Sequence, residues 1–296
     1  FNSDYLANRW PMTTTFAVTD LEMLFGVITT LLLLEATRRL LGWLLVIVAV
    51  VALLYTYLGE HLPILTLTHR GYSFEHMLDY IYLTDNGIWG VALGVAATYI
   101  VLFVIFGAFA EKAGVSEFFI DFSNSIAGHT KGGPAKVAIF SSALIGSVTG
   151  STVANVYTTG QFTIPMMKRL GYKPSVAGAV EALASNGGQI MPPIMGAAAF
   201  ILAAYSGVPY IDVALASLIP ALLYFGGLFW FIHLEAHKAG LEGIPAEDKP
   251  SLKKVLLRGG HLFSPLLALI GCLIYGFSPV RAAFYAIVFT VVISWV

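Results

Sequence analysis

The sequence has little charge, almost no cysteine and few polar stretches long enough to clothe a soluble surface. Charged residues make up 11% of its 296 positions, against about 25% in an ordinary globular domain. A soluble fold with a polar skin is therefore disfavoured. The single cysteine, Cys272, allows neither an internal disulfide nor a cysteine-based zinc site. A net charge of −1 provides no basic field for nucleic acid. No phosphate loop, dinucleotide fingerprint or nucleophile elbow is present. The stretch from Gly146 to Gly150 lacks the central serine of the last of these.

What is present is apolar: 57% of residues are hydrophobic. A membrane-spanning helix needs about 20 mostly apolar residues. Segments 19–37, 40–58, 88–111, 176–205, 210–233, 260–277 and 279–296 meet that demand. Segments 74–83 and 117–127 are shorter and amphipathic, as helices lying along a membrane surface are. The fold class expected is an all-α integral membrane protein with several spanning helices. The chain opens at Phe1 and stops within an apolar run, so a piece of a longer protein is expected.

Two apolar pieces, 135–148 and 153–167, are too short to cross. Fourteen residues rise about 21 Å at 1.5 Å each, against about 30 Å of hydrocarbon. Between them lies Thr149-Gly150-Ser151-Thr152, rich in turn and cap residues. This pattern predicts a re-entrant helical hairpin over 135–167; the competing reading is one long helix carrying a Ser/Thr patch. Backbone of this kind is tolerated at membrane depth only where protein or a water-filled cavity surrounds it. The basic residues agree with the hairpin. With the Arg38-Arg39 turn in the cytoplasm and the hairpin returning to its own side, all Lys and Arg except Arg9, Arg70 and Arg281 lie inside. Segment 59–87 is then outside, and the loop 235–259 inside.

Segment 176–205 carries a second interruption, Asn186-Gly187-Gly188-Gln189-Ile190-Met191-Pro192-Pro193. Paired Gly and paired Pro break helical hydrogen bonding. A discontinuous helix is expected, with Pro193 in the first turn of its second half. Freed carbonyls suit a small cation, and the N-terminus of the second half suits a carboxylate. The hairpin tip offers Ser147, Thr149, Ser151 and Asn155, uncharged oxygen ligands that fit Na⁺ better than a divalent ion. With Ser185, Asn186, Gly187 and Gly188 they form the expected ion site. Gly188 is expected to need a positive φ. Thr152, Gln189, Pro192 and Pro193 are the candidate substrate contacts. Without a ligand, these Ser, Thr and Gly residues would serve close helix packing.

Glu181 is the one carboxylate in the apolar body of the broken helix. It is either a proton carrier or a hydrogen-bonded structural group. It has no obvious facing acid or base, which argues against a membrane-embedded enzyme. His233 and His237 stand four residues apart, the spacing of a metal pair. At a helix end they also complement the helix dipole, the reading favoured here.

Several runs together resemble the fused permease of TRAP transporters of the TAXI type. They are Gly150-Ser151-Thr152-Val153-Ala154-Asn155, Phe162-Thr163-Ile164-Pro165-Met166-Met167, Val180-Glu181-Ala182 and Gly187-Gly188-Gln189-Ile190-Met191-Pro192-Pro193-Ile194-Met195-Gly196. The resemblance extends through Leu33-Leu34-Glu35-Ala36-Thr37-Arg38-Arg39 and His233-Leu234-Glu235-Ala236. It implies that residues 1–85 are the end of a small membrane component. Residues 86–296 would be the first half of a large, inverted-repeat component, with hairpin 135–167 and broken helix 176–205. It also implies a bacterial or archaeal inner-membrane permease that imports a small organic acid by an elevator-like, ion-driven cycle. The coupling ion would be Na⁺ or H⁺, with no other cofactor. A periplasmic solute-binding protein of the TAXI type would deliver the solute. The alternative is an organic-anion exchanger or channel that uses no binding protein.

Overall fold

A computed structural model describes residues 18–62, 68–245 and 250–295. Arg9, Lys249 and parts of segments 59–87 and 235–259 lie outside the described residues. All regular structure among the described residues is helical. They fall into two compact units that divide between Gly94 and Val95.

The first unit opens with α1 (Asp20–Leu41), started by a capping box between Thr19 and Glu22. Gly42, at φ 86, separates it from α2 (Trp43–Leu58). Arg38 and Arg39 therefore sit in the last turn of α1 and not in the connecting turn. There they complement the helix dipole and pair with Glu35 at 2.7 and 2.8 Å. α3 (Phe74–Leu78) runs on as a π turn through Asp79–Leu83. Leu78 and Tyr82 pack against Gly26 of α1, where a Cβ would lie 2.8 Å from the Leu78 side chain.

α4 (Val91–Lys112) begins four residues before the division between units. The second unit continues with α5 (Val115–Ala127), α6 (Gly133–Thr149), α7 (Thr152–Arg169), α8 (Pro174–Gly187) and α9 (Ala197–Ser206). It ends with α10 (Tyr210–Lys238), α11 (Leu252–Gly259), α12 (Ser264–Ile274) and α13 (Pro279–Ile293). Among the described residues, four stretches are long and apolar enough to cross a membrane: Trp43–His61, Val91–Lys112, Tyr210–Lys238 and Leu252–Ile274. Ala197–Ser206 and Pro279–Ile293 are apolar but shorter.

α6 and α7 form an antiparallel helical pair. Ser142 meets Thr159 near mid-helix, and Asn155 donates to the Ser142 carbonyl at 2.8 Å. The two helices have 17 and 18 residues, about 25 and 27 Å at 1.5 Å per residue. They are longer than the sequence suggests, because Gly132-Gly133-Pro134 starts α6 early and α7 runs on past Met167 to Arg169, with Pro165 inside it. Almost every residue of α6 is buried, since α5, α7, α8 and α10 all pack on it. α5 is amphipathic as predicted, and its apolar face, including Phe118 and Phe119, is buried. Two apolar clusters surround α6. One joins Phe103, Phe106, Phe119, Ile145, Phe200 and Leu269; the other joins Ile139, Met167, Val180, Phe225 and Ile232.

Candidate functional site

The site is built where the α6–α7 tip meets the break between α8 and α9. Gly150 closes α6 in the left-handed region, at φ 62, and its N–H bonds the Gly146 carbonyl at 2.8 Å. Only glycine adopts this conformation without strain. A Cβ on Gly150 would also collide with the Met195 carbonyl oxygen. Ser151 then caps α7, its Oγ accepting from the Ala154 N–H at 3.3 Å. The backbone seals the two elements together: the Ile194 N–H donates to the Ser147 carbonyl at 3.3 Å.

Next to this seam, α6 and α8 touch through glycines. A Cβ on Gly188 would lie 2.8 Å from the Gly146 Cα and 3.0 Å from Asn155 Nδ2. Gly188 has φ −59, so the expectation of a positive φ is corrected: close approach, and not backbone handedness, requires glycine here. Gly187 faces the opposite way, onto Tyr224 and Phe225 of α10.

The expected freed carbonyls are also largely taken up. Consecutive tight turns carry the N–H groups of Gly188, Gln189, Ile190 and Met191 to the carbonyls of Ser185, Asn186, Gly187 and Gly188 at 3.1 to 3.4 Å. Each carbonyl keeps a second lone pair, but none is fully open. Pro193 does not start the second half-helix; Gly196 is the N-cap and α9 begins at Ala197. The intervening segment is held flat against the tip by the Ile194 to Ser147 bond. On its other side, the buried Tyr210 hydroxyl faces the Pro193 and Ile194 carbonyls, 2.7 Å from the first.

A cavity of about 400 Å³ opens at this junction. Thr149, Gly150 and Ser151 of the tip, Gln189 of the break, and Gly196, Ala197 and Ala198 at the start of α9 line it. Ile100, Phe103 and Val104 of α4 supply the apolar wall. Of the expected substrate contacts, Gln189 reaches the cavity. Thr152 stands beside it, bonded to Gln189 Nε2 at 2.8 Å and 3.4 Å from Asn186 Oδ1. Pro192 and Pro193 are not among its walls.

Asn155 is completely buried. Its Nδ2 is satisfied, whereas its Oδ1 and the Thr149 Oγ1 are buried oxygens without a hydrogen-bond partner. Unpartnered buried oxygens are costly, and uncharged oxygens of this type are hard-cation ligands. Ser147 contributes less than expected, because its hydroxyl bonds the Leu144 carbonyl at 2.7 Å. Ser185 belongs to a different cluster, around Glu181.

Glu181 is fully buried between α6, α7 and α8. Four hydroxyls surround its carboxyl: Thr159, Thr163, Ser185 at 3.0 Å and Ser142 at 3.5 Å. Thr159 Oγ1 also lies 2.8 Å from the Asn155 carbonyl, and Thr163 Oγ1 lies 3.0 Å from the Thr159 carbonyl. Each hydroxyl has a single proton. An ionised carboxyl draws those protons away from the helix carbonyls. A protonated one donates to one threonine, which passes its own proton to the backbone. The cage thus has a hydrogen-bond pattern for each protonation state. No basic side chain pairs with Glu181 among the described residues, so none of them supplies a countercharge to its ionised form.

Of the His233/His237 pair, His233 has Lys136 Nζ 3.1 Å from its Nδ1. No cluster of three metal-ligating His, Cys, Asp or Glu side chains exists among the described residues. The Glu181 cage was foreshadowed by Asn155, Thr159 and Thr163, which recur every four residues and put polar groups on one helical face. The α4 wall left no such trace, because Ile100 and Phe103 look like any spanning-helix residues.

Comparison with known proteins agrees with this architecture. Residues 28–296 match the family described as the tripartite ATP-independent periplasmic transporter, DctM component. The C4-dicarboxylate TRAP transporter large permease protein DctM of Pseudomonas aeruginosa is 29% identical over 196 residues, covering 65% of this chain and 45% of that protein. The sialic acid TRAP transporter permease protein SiaT of Haemophilus influenzae is 25% identical over 193 residues, covering 65% and 31%. The ectoine TRAP transporter large permease protein TeaC of Halomonas elongata is 31% identical over 175 residues, covering 57% and 39%. The chain spans about half or less of the length of such relatives. It belongs to the DctM family of TRAP transporter large permease components, a family of transport proteins and not of enzymes.

Proposed function

We propose that this chain forms the first half of the permease of an ion-gradient-driven secondary transporter for a small organic acid. The observation that carries it is the junction of the α6–α7 tip with the α8–α9 break around one cavity. Unpartnered oxygens of Thr149 and Asn155 lie at the tip, and the N-terminus of α9 opens into the cavity. A helix N-terminus favours a carboxylate, and neutral oxygens favour a monovalent cation. Relatives named for C4-dicarboxylate and sialic acid make a carboxylate the substrate group of choice.

The finer reading rests on the resemblance of the sequence to TAXI-type fused permeases. The α6–α7 pair is re-entrant in an inner membrane and lies within residues 86–296, one half of an inverted repeat. Transport is elevator-like and draws on a TAXI-type periplasmic binding protein. Residues 1–85 belong to a fused small component, although the family match begins within that segment, at residue 28. The ion is Na⁺ at Thr149 and Asn155, or H⁺ at Glu181. Uptake by the full-length permease in proteoliposomes, with and without its binding protein, under separate Na⁺ and H⁺ gradients, tests this. Gradient-dependent accumulation that requires the binding protein is expected. Downhill flux without either would favour an exchanger or channel.

A further inference from the structure

A second cleft, of about 480 Å³, lies between α5 and α11. Glu117 and Asp121 of α5 form one wall; Lys254 and Arg258 of α11 form the other, with Phe118 and Leu262 between them. The spacing is helical on both sides, so each wall presents its charges on one face. None of these four charged side chains makes an ion pair or hydrogen bond with another described residue. Partial burial raises the Asp121 carboxyl above its ordinary range, Arg258 opposes this, and Glu117 adds to it. The opposite charges thus sense each other across the cleft without closing it.

The cleft's place in the chain is equally informative. α5 follows directly on the spanning stretch Val91–Lys112, and α11 runs through a short 3₁₀ turn into the apolar α12. α11 is thus the charged start of the apolar stretch Leu252–Ile274, and in a bilayer both walls would lie toward the ends of apolar stretches, near the lipid headgroups. A basic wall alone would suit any phosphate. Two facing carboxylates repel a purely anionic headgroup and ask for a cationic donor beside the phosphate.

We propose that this cleft binds the headgroup of a zwitterionic phospholipid with a primary ammonium, phosphatidylethanolamine. Lys254 and Arg258 take the phosphate, Glu117 and Asp121 take the ammonium, and Phe118 and Leu262 receive the start of the glycerol backbone.

The test is native mass spectrometry of the full-length permease delipidated in detergent and titrated with defined lipids. Phosphatidylethanolamine should be retained over phosphatidylcholine, whose methylated ammonium has no N–H, and over phosphatidylglycerol. Lys254→Gln with Arg258→Gln, and separately Glu117→Gln with Asp121→Asn, should each lower its retention about tenfold or more. Size-exclusion profile and thermal midpoint are read alongside, with single Asp121→Asn as the milder variant. Equal retention of the ethanolamine and choline lipids, a preference for phosphatidylglycerol, or unchanged retention in folded variants would overturn the proposal. Displacement by equimolar soluble glycerophosphoethanolamine would overturn its assignment to a lipid.

Discussion

The contact between Gly146 and Gly188 makes a quantitative prediction. Replacing Gly188 by alanine puts a methyl 2.8 Å from the Gly146 Cα and 3.0 Å from Asn155 Nδ2. A backbone carbon cannot rotate aside, so α6 and α8 must separate. Overpacking of this kind costs about 1–3 kcal/mol. The strain falls on the assembled tip–break junction, so it should weaken ion binding about 5- to 150-fold, at about 1.4 kcal/mol per tenfold. The same helix supplies its own control. Gly178 has open space at its Cβ position, and Gly178→Ala should be neutral or stabilising by up to about 1 kcal/mol. Thermal unfolding in detergent and ion titration of uptake in proteoliposomes read both effects. If Gly188→Ala tracks Gly178→Ala in both assays, α6 and α8 do not meet as described and the junction is not the ion site.

Three further outcomes are expected. Glu181→Leu should destabilise by about 1–3 kcal/mol, because Thr159 and Thr163 can fall back on their own helix carbonyls whereas Ser142 and Ser185 lose an acceptor; Glu181→Gln should fold well, and loss of proton dependence in its uptake would identify Glu181 as the proton carrier. Tyr210→Phe should cost about 1–3 kcal/mol in the unfolding midpoint by stripping the donor from two loop carbonyls, and a midpoint unchanged from the parent would show that Tyr210 does not hold the segment before α9. Single cysteines at 131 and 173 on a Cys272→Ser background should label from the same side of the membrane, and opposite-side labelling would replace the re-entrant hairpin with a spanning helix.

The antiparallel pair α6–α7 and the break were legible in the sequence because short apolar pieces flanking Gly150, and paired Gly and Pro after Ser185, interrupt patterns that would otherwise continue. Cap chemistry placed Ser151 correctly. What escaped was set by tertiary contact. The start of α9 moved past Pro193 because Ile194 bonds Ser147 and Tyr210 holds the carbonyls before it. No local propensity encodes either partner. Gly188 drew attention as a helix breaker, yet its need for a missing side chain comes from Gly146, forty-two residues earlier in the chain. Glu181 stood out as a lone intramembrane carboxylate, but its hydroxyl cage is assembled from three helices and becomes visible only once they pack.

The central proposal is that the hairpin tip and the helix break hold one coupling-ion site. The most direct measurement is solute uptake against ion concentration, under a fixed membrane potential, for the parent permease, Asn155→Ala and Thr149→Val. Each substitution removes one unpartnered buried oxygen and leaves the apolar packing of α6 on α5 and α10 in place. The expected result is a rise in the half-saturating ion concentration of about tenfold or more in both variants, with an unfolding midpoint close to the parent for Thr149→Val and one lowered by about 1–3 kcal/mol for Asn155→Ala, which also loses the Nδ2 bond to the Ser142 carbonyl. Unchanged ion affinity and rate in well-folded forms of both would contradict it and leave the tip and the break as packing features.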